Sequence, residues 1–303
     1  MVKNNSAKRR LKSRKDQWIF YWAILILPLL QFGIFYIGTL FNSLTLPFKR
    51  YELGHYIWDT DFSTWRLVFD ELQYFKPIAR NSLVQYLTGT IVGTTLALMF
   101  SYYIYKKRTG SSWFKVFLFM PQIISGAALA IMFKYFVDRG VPIIYESITG
   151  KEIEGLILNY DTRFGTILFF SIWAGFGTQV LMYSGAMSGI SDSLTDAAKI
   201  DGMSALCEFI HITVPCIWST LVTFLVVGVA HFFTSQMSLH AFLGVRGDYD
   251  SSTFGYHIYK QLAMGDEALY PQISALGLLF TLIAVPVTLL LKHLLEKYGP
   301  RTD

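Results

Sequence analysis

The sequence predicts an all-α polytopic membrane protein with six transmembrane helices, and three observations carry that reading. Six apolar runs, 18–41, 81–105, 113–136, 165–190, 211–233 and 272–292, approach or exceed the ~20 residues that cross a bilayer. Hydrophobic residues make up 53% of the chain and charged residues only 16%, against ~25% in soluble domains. Bases and acids also fall on opposite sides of the runs.

Taken in order, the first run follows Lys3, Lys8, Arg9, Arg10, Lys12, Arg14 and Lys15, which places the N-terminus in the cytoplasm. It contains Pro28, is long and lacks a small-residue cleavage site, so it reads as an anchor and not a removable signal. The second run ends at Lys106-Lys107-Arg108, again basic and again inside. The third carries Pro121, which a membrane helix tolerates. With six spans the inside pieces are 1–17, 106–112, 191–210 and 293–303. The outside loops, 42–80, 137–164 and 234–271, hold most of the acids, among them Asp70, Glu71, Asp138, Asp248 and Glu267. The domain division is a basic cytosolic tail 1–17, a membrane domain 18–295 and a cytosolic tail 296–303, with both termini cytoplasmic in a cell membrane. On a membrane protein the basic tail serves orientation and lipid headgroup contact, not nucleic acid.

No G-x-x-x-x-G-K-[ST] loop, H-E-x-x-H helix, C-x-x-C pair or G-x-S-x-G elbow occurs, so neither ATP hydrolysis nor an enzyme is expected of this chain. Cys207 and Cys216 lie on the inner side without metal-ligand spacing, and neither a disulfide, a metal nor a cofactor is expected.

The most informative stretch is 196–215, DAAKIDGMSALCEFIHITVP, polar and rich in small residues between two apolar runs. Asp196 can cap a helix whose first turn Ala197 and Ala198 keep slim. Gly202 permits a bend or a close backbone contact, and Pro215 suits the start of a new helix. Asp196, Ala197, Ala198, Asp201, Gly202, Phe209, Ile212, Val214 and Pro215 together resemble the "EAA" segment of permease subunits in binding-protein-dependent ABC importers. Residues 120–140, 252–262 and 270–277 resemble the carbohydrate branch of that family, in particular the larger permease of maltose-type importers. Asp196 stands where the family has Glu, Met203 where it has Ala, and Leu243–Gly247 where it has a Gly-Gly-Pro run.

The resemblance implies a type I ABC importer permease whose segment 192–210 docks into an ATPase subunit through Asp196, Ala197, Ala198, Asp201, Gly202 and Phe209. It implies as partners a second permease, two cytosolic ATPases and an extracellular solute-binding protein delivering a sugar. In the fourth run Phe176, Gln179, Tyr183 and Met187 share one helix face. In the fifth, Gly228, His231 or Phe232, Ser235 and Leu239 do the same, with Gln236 beside them. Aromatic rings that stack on sugar faces, and amides and hydroxyls that bond to sugar hydroxyls, make these faces the expected substrate path. Helix–helix packing with polar contacts is the competing reading. Polyol, phosphate-ester or peptide cargo remains open at this level, as does an ion-coupled carrier. Acids near the run centres, which such a carrier would need, are absent.

Overall fold

The computed structural model describes residues 14–300; residues 1–13 of the basic tail and 301–303 of the C-terminal tail lie outside the described residues. Five continuous helical stretches and one bent pair are long and apolar enough to account for six spans. Helix α1 (Trp18–Phe48) is the first. Between Trp18 and Leu44 it buries no side chain against the rest of the chain, a face that suits lipid rather than water. A hairpin of β1 (Lys49–Glu52) and β2 (His55–Trp58) follows, with Tyr51 opposite Tyr56. Its turn uses positive φ at both Leu53 and Gly54, the twist-compatible hairpin geometry. Among the described residues this hairpin is the one departure from the all-α expectation.

Helix α2 (Ser63–Leu72) lies outside the spans and leads to α3 (Lys76–Tyr105), the second span. The third run is not one straight helix. It is α4 (Ser111–Ile123) and α5 (Gly126–Thr149), bent by 99° at Ile124 and Ser125. Ile124 is extended (ψ 143), Ser125 is likewise out of the helical region (ψ 126), and Pro121 lies in the turn just before them. The proline's missing N–H weakens the turn at which the chain departs from the helix.

Helix α6 (Tyr160–Met187), capped by the Asn159 side chain on the Asp161 N–H at 2.9 Å, is the fourth span. Two short helices, α7 (Asp192–Ile200) and α8 (Ala205–Cys216), then connect it to α9 (Trp218–Thr234). The fifth span breaks after Thr234, and a short α10 (Leu239–Leu243) completes it. Helix α11 (Phe254–Ala263) lies outside the spans, and α12 (Tyr270–Tyr298) is the sixth. The last helix thus continues three residues past the expected domain boundary at 295.

Three apolar clusters hold the bundle. Phe170, Phe242, Met237 and Tyr256 form one; Val68, Phe75, Ile78, Phe254 and Leu276 another; Ala97, Val180, Tyr183, Met187 and Ile217 the third. The outer end is tied by Glu71, whose carboxylate accepts from His257 (2.9 Å), Gln261 (3.1 Å) and Gln272 (2.9 Å). Burial pushes the Glu71 carboxyl up, but these hydrogen bonds outweigh it and hold the group below its ordinary range. Tyr51 and Tyr56 bond to Glu267, fastening the hairpin to the approach of α12.

Candidate functional site

A cavity of about 410 Å³ opens between α3, α6 and α9, within the ~300–1,000 Å³ typical of small-ligand sites. Of the residues singled out from the sequence, Phe176, Gln179, His231, Phe232 and Ser235 line it. Tyr183 and Gln236 are not among its lining residues. Tyr183 is fully buried and packs edge-on against Phe224 at 5.1 Å, with Met187 in the same cluster. Gln236 is half-buried where the backbone leaves the helix: Ser235 is extended, and Met237 and Ser238 both have positive φ. Helical spacing put Tyr183 on the face of Phe176 and Gln179, but that face descends from the cavity into close packing.

The third wall is α3, which supplies Gln85, Tyr86, Thr90 and Thr94. Gln85, Thr90 and Thr94 recur at intervals of five and four positions in the second run, with Tyr86 beside Gln85, a polar stripe that period analysis of that run would have exposed. A π turn at Gly89–Gly93 accommodates the stripe's irregular spacing beside the cavity. The Gln85 amide donates to the Ser235 hydroxyl. The amide oxygens of Gln85 and Gln179 are buried and find no hydrogen-bond partner among the described residues. No Asp, Glu, Lys or Arg is among the lining residues.

The second candidate element is the α7–α8 limb. Helix α7 begins at Asp192 with Ser191 as its N-cap residue, so Asp196 does not cap it. Asp196 sits one turn further on, exposed, and pairs with Lys199 at 2.8 Å. Ala197 is exposed and Ala198 buried. The helix stops in a glycine-based turn: Met203 N–H bonds to Ala198 C=O (3.0 Å) and Gly202 N–H to Lys199 C=O (3.1 Å). Gly202 has φ +71, and a Cβ there would meet nothing within 4 Å. Of the two readings open for this glycine, the bend is the one realised within the chain.

The Ser204 side chain caps α8, Pro215 lies within the limb's last helical turn, and Phe209 turns inward onto Tyr102 at 5.0 Å. On either side of Gly202 the limb presents Ile200, 86% exposed, and Leu206, 68% exposed. Apolar side chains bared outside the spans, on a short rigid knob with an exposed Asp196 and Asp201, form a surface suited to a protein partner.

The description "Binding-protein-dependent transport system inner membrane component" belongs to a family model that matches residues 89–302. The chain is 20% identical over 275 residues to the multiple sugar-binding transport system permease protein MsmF of Streptococcus mutans, covering 89% of this chain and 93% of that one. It is 26% identical to the sn-glycerol-3-phosphate transport system permease protein UgpA of Yersinia pestis, over 57% of this chain and 58% of that one. Its fold matches, with a TM-score of 0.79 and 19% identity over 96% of this chain and 99% of the other, a crystal structure of a bacterial ABC transporter involved in the import of the acidic polysaccharide alginate. Spans, bent third helix and short limb are therefore the type I permease fold. The chain belongs to the inner membrane components of binding-protein-dependent transport systems, and is a multi-pass permease subunit rather than an enzyme.

Proposed function

We propose that this permease imports a neutral sugar or oligosaccharide, handed over by a solute-binding protein and driven by ATP hydrolysis on two cytosolic subunits docked to residues 192–210. A second, homologous permease completes the pathway. The observation that carries the cargo reading is the uncharged cavity wall, in which Gln85, Gln179, Ser235, Phe176 and Phe232 offer amides, a hydroxyl and ring faces. UgpA is named for a phosphate ester, but such a cargo favours a fixed positive charge, and only His231 among the lining residues can carry one. Native mass spectrometry of the detergent-purified complex tests this. Released cargo with masses built of neutral hexose units supports the reading, and a phosphorylated or peptide cargo overturns it.

The cavity also separates path from packing. Gln85→Ala and Gln179→Ala are expected to lower uptake per assembled complex by roughly tenfold or less each, about 1 kcal/mol of lost hydrogen bonding; the melting temperature should hold in Gln179→Ala and fall slightly in Gln85→Ala, which also loses the bond to Ser235. Tyr183→Ala, emptying a fully buried ring site, is expected instead to destabilise by ~3–5 kcal/mol. Wild-type uptake in both glutamine variants would remove this cavity from the path.

The orientation we propose places the termini and residues 106–112 and 191–210 in the cytoplasm. In a chain with Cys207 and Cys216 replaced by serine, a membrane-impermeant maleimide on intact cells should label Leu53→Cys, at the fully exposed hairpin tip. It should not label Ser112→Cys, which is also exposed in the chain. The reverse pattern would invert the topology.

A further inference from the structure

Lys106 and Glu208, 102 positions apart in sequence, form an ion pair with side chains only 19% and 8% exposed. Lys106 follows the last residue of α3, and Glu208 lies in α8. The ammonium also sits over the rings of Tyr102 at 5.5 Å and Tyr105 at 5.3 Å. The Tyr102 hydroxyl donates to the Ala205 carbonyl at 3.0 Å. Lys107 and Arg108 beside it are exposed, so the charge that marks the inner side does not require Lys106 to be buried. Removing two charges from water is costly, and leaving one of them alone afterwards is costlier still. Such a pair holds its two elements in one geometry.

Connectivity shows what that geometry is for. Of the three helices that wall the cavity, α6 runs into the α7–α8 limb and α9 runs out of it. Helix α3 has no chain connection to the limb; among the described residues it is tied there by the Lys106–Glu208 pair and the Tyr102 hydroxyl, beside apolar packing in which Ile104 and Tyr105 share a cluster with Phe209 and Val214. Yet α3 carries Gln85, Tyr86, Thr90 and Thr94 on the cavity wall. We propose that Lys106–Glu208 is a strut that carries displacement of the limb into α3, so that all three walls move together when the ATPases close. Both are positioning residues, acting on the cavity through α3. The inference rests on the reading of 192–210 as the ATPase dock.

The test uses the assembled complex with Cys207 and Cys216 replaced by serine and Thr90→Cys as reporter. Its alkylation by N-ethylmaleimide is timed with and without Mg-ATP and vanadate. Nucleotide is expected to change the rate about tenfold in this parent, and by less than about twofold once Lys106→Gln or Glu208→Gln is added, with the ATPase still bound. The exchange Lys106→Glu with Glu208→Lys should recover the response. Where a variant lowers assembly, the rate is read on the assembled fraction. Neutral variants that respond like the parent overturn the strut, as does a parent whose Thr90→Cys ignores nucleotide. Leu206→Asp separates the two readings: if the ATPase stays bound to it, the dock fails and the strut with it. If the ATPase is lost while the neutral variants respond normally, only the strut fails.

Discussion

Gly255→Val is expected to leave little folded permease. Gly255 is the second residue of α11, and a Cβ there would strike the Thr234 carbonyl and lie 2.7 Å from the Ser235 carbonyl carbon. Those are backbone atoms at the break of the fifth span, and they have little freedom to retreat. Thr253 donates to the Ser235 carbonyl at 2.8 Å, Phe254 N–H bonds to the Ser82 hydroxyl at 3.0 Å, and Asn81 donates to the carbonyls of Asp250 (2.7 Å) and Ser252 (3.1 Å). The loop 250–254 is thus sewn to both α3 and α9, and moving it to admit a side chain undoes several bonds at once. Overpacking typically costs ~1–3 kcal/mol, and a clash with fixed backbone is expected at about 3 kcal/mol or more. Gly277→Ala is the control: nothing lies within 4 Å of its Cβ, and alanine within a helix is worth about 1 kcal/mol over glycine. Melting of the purified protein in detergent distinguishes them, and a Gly255→Val variant as stable as wild type would show that this junction is not close-packed.

The second large effect is expected at the limb. Ile200→Asp and Leu206→Asp should each strip the ATPase from the complex while leaving the permease itself as stable as wild type. Both side chains are exposed, so the substitutions remove nothing from the core. Buried in a partner's groove they would be anchors, and replacing an anchor by a charge costs about 2 kcal/mol or more, a factor of about 30 in affinity. Gly202→Leu is expected to act on the same surface by a different route. With φ at +71, leucine strains the turn by ~1–2 kcal/mol and swings Ile200 and Leu206 out of register. Full ATPase retention in both aspartate variants would assign the exposed limb another role.

How far the sequence carried the account depends on the kind of signal. The spans were legible because apolar length reports directly on bilayer thickness. The bend at Ile124 and Ser125 was not, since Pro121 is equally compatible with a straight membrane helix; the loss of local helix bonds there is decided by neighbours. The β1–β2 hairpin was missed because a four-residue strand pair leaves almost no periodic pattern. Period analysis brought Phe176 and Gln179 to the cavity and carried Tyr183 with them, because a helix face has no marker for where a cavity ends. The polar stripe of α3 was visible in Gln85, Thr90 and Thr94, but their run was read for its hydrophobicity alone. Gly202 announced a special backbone, and only the structure separates a left-handed turn from a close contact.

ATP-driven import through this chain is the property on which every other role proposed for it depends. The most direct test is accumulation of the cargo recovered with the complex into proteoliposomes holding permease, partner permease and ATPases, with the binding protein outside. Accumulation is predicted only with Mg-ATP inside and binding protein outside, unaffected by collapsing proton or sodium gradients. Accumulation driven by an ion gradient without ATP would contradict the account and return the chain to the class of ion-coupled carriers.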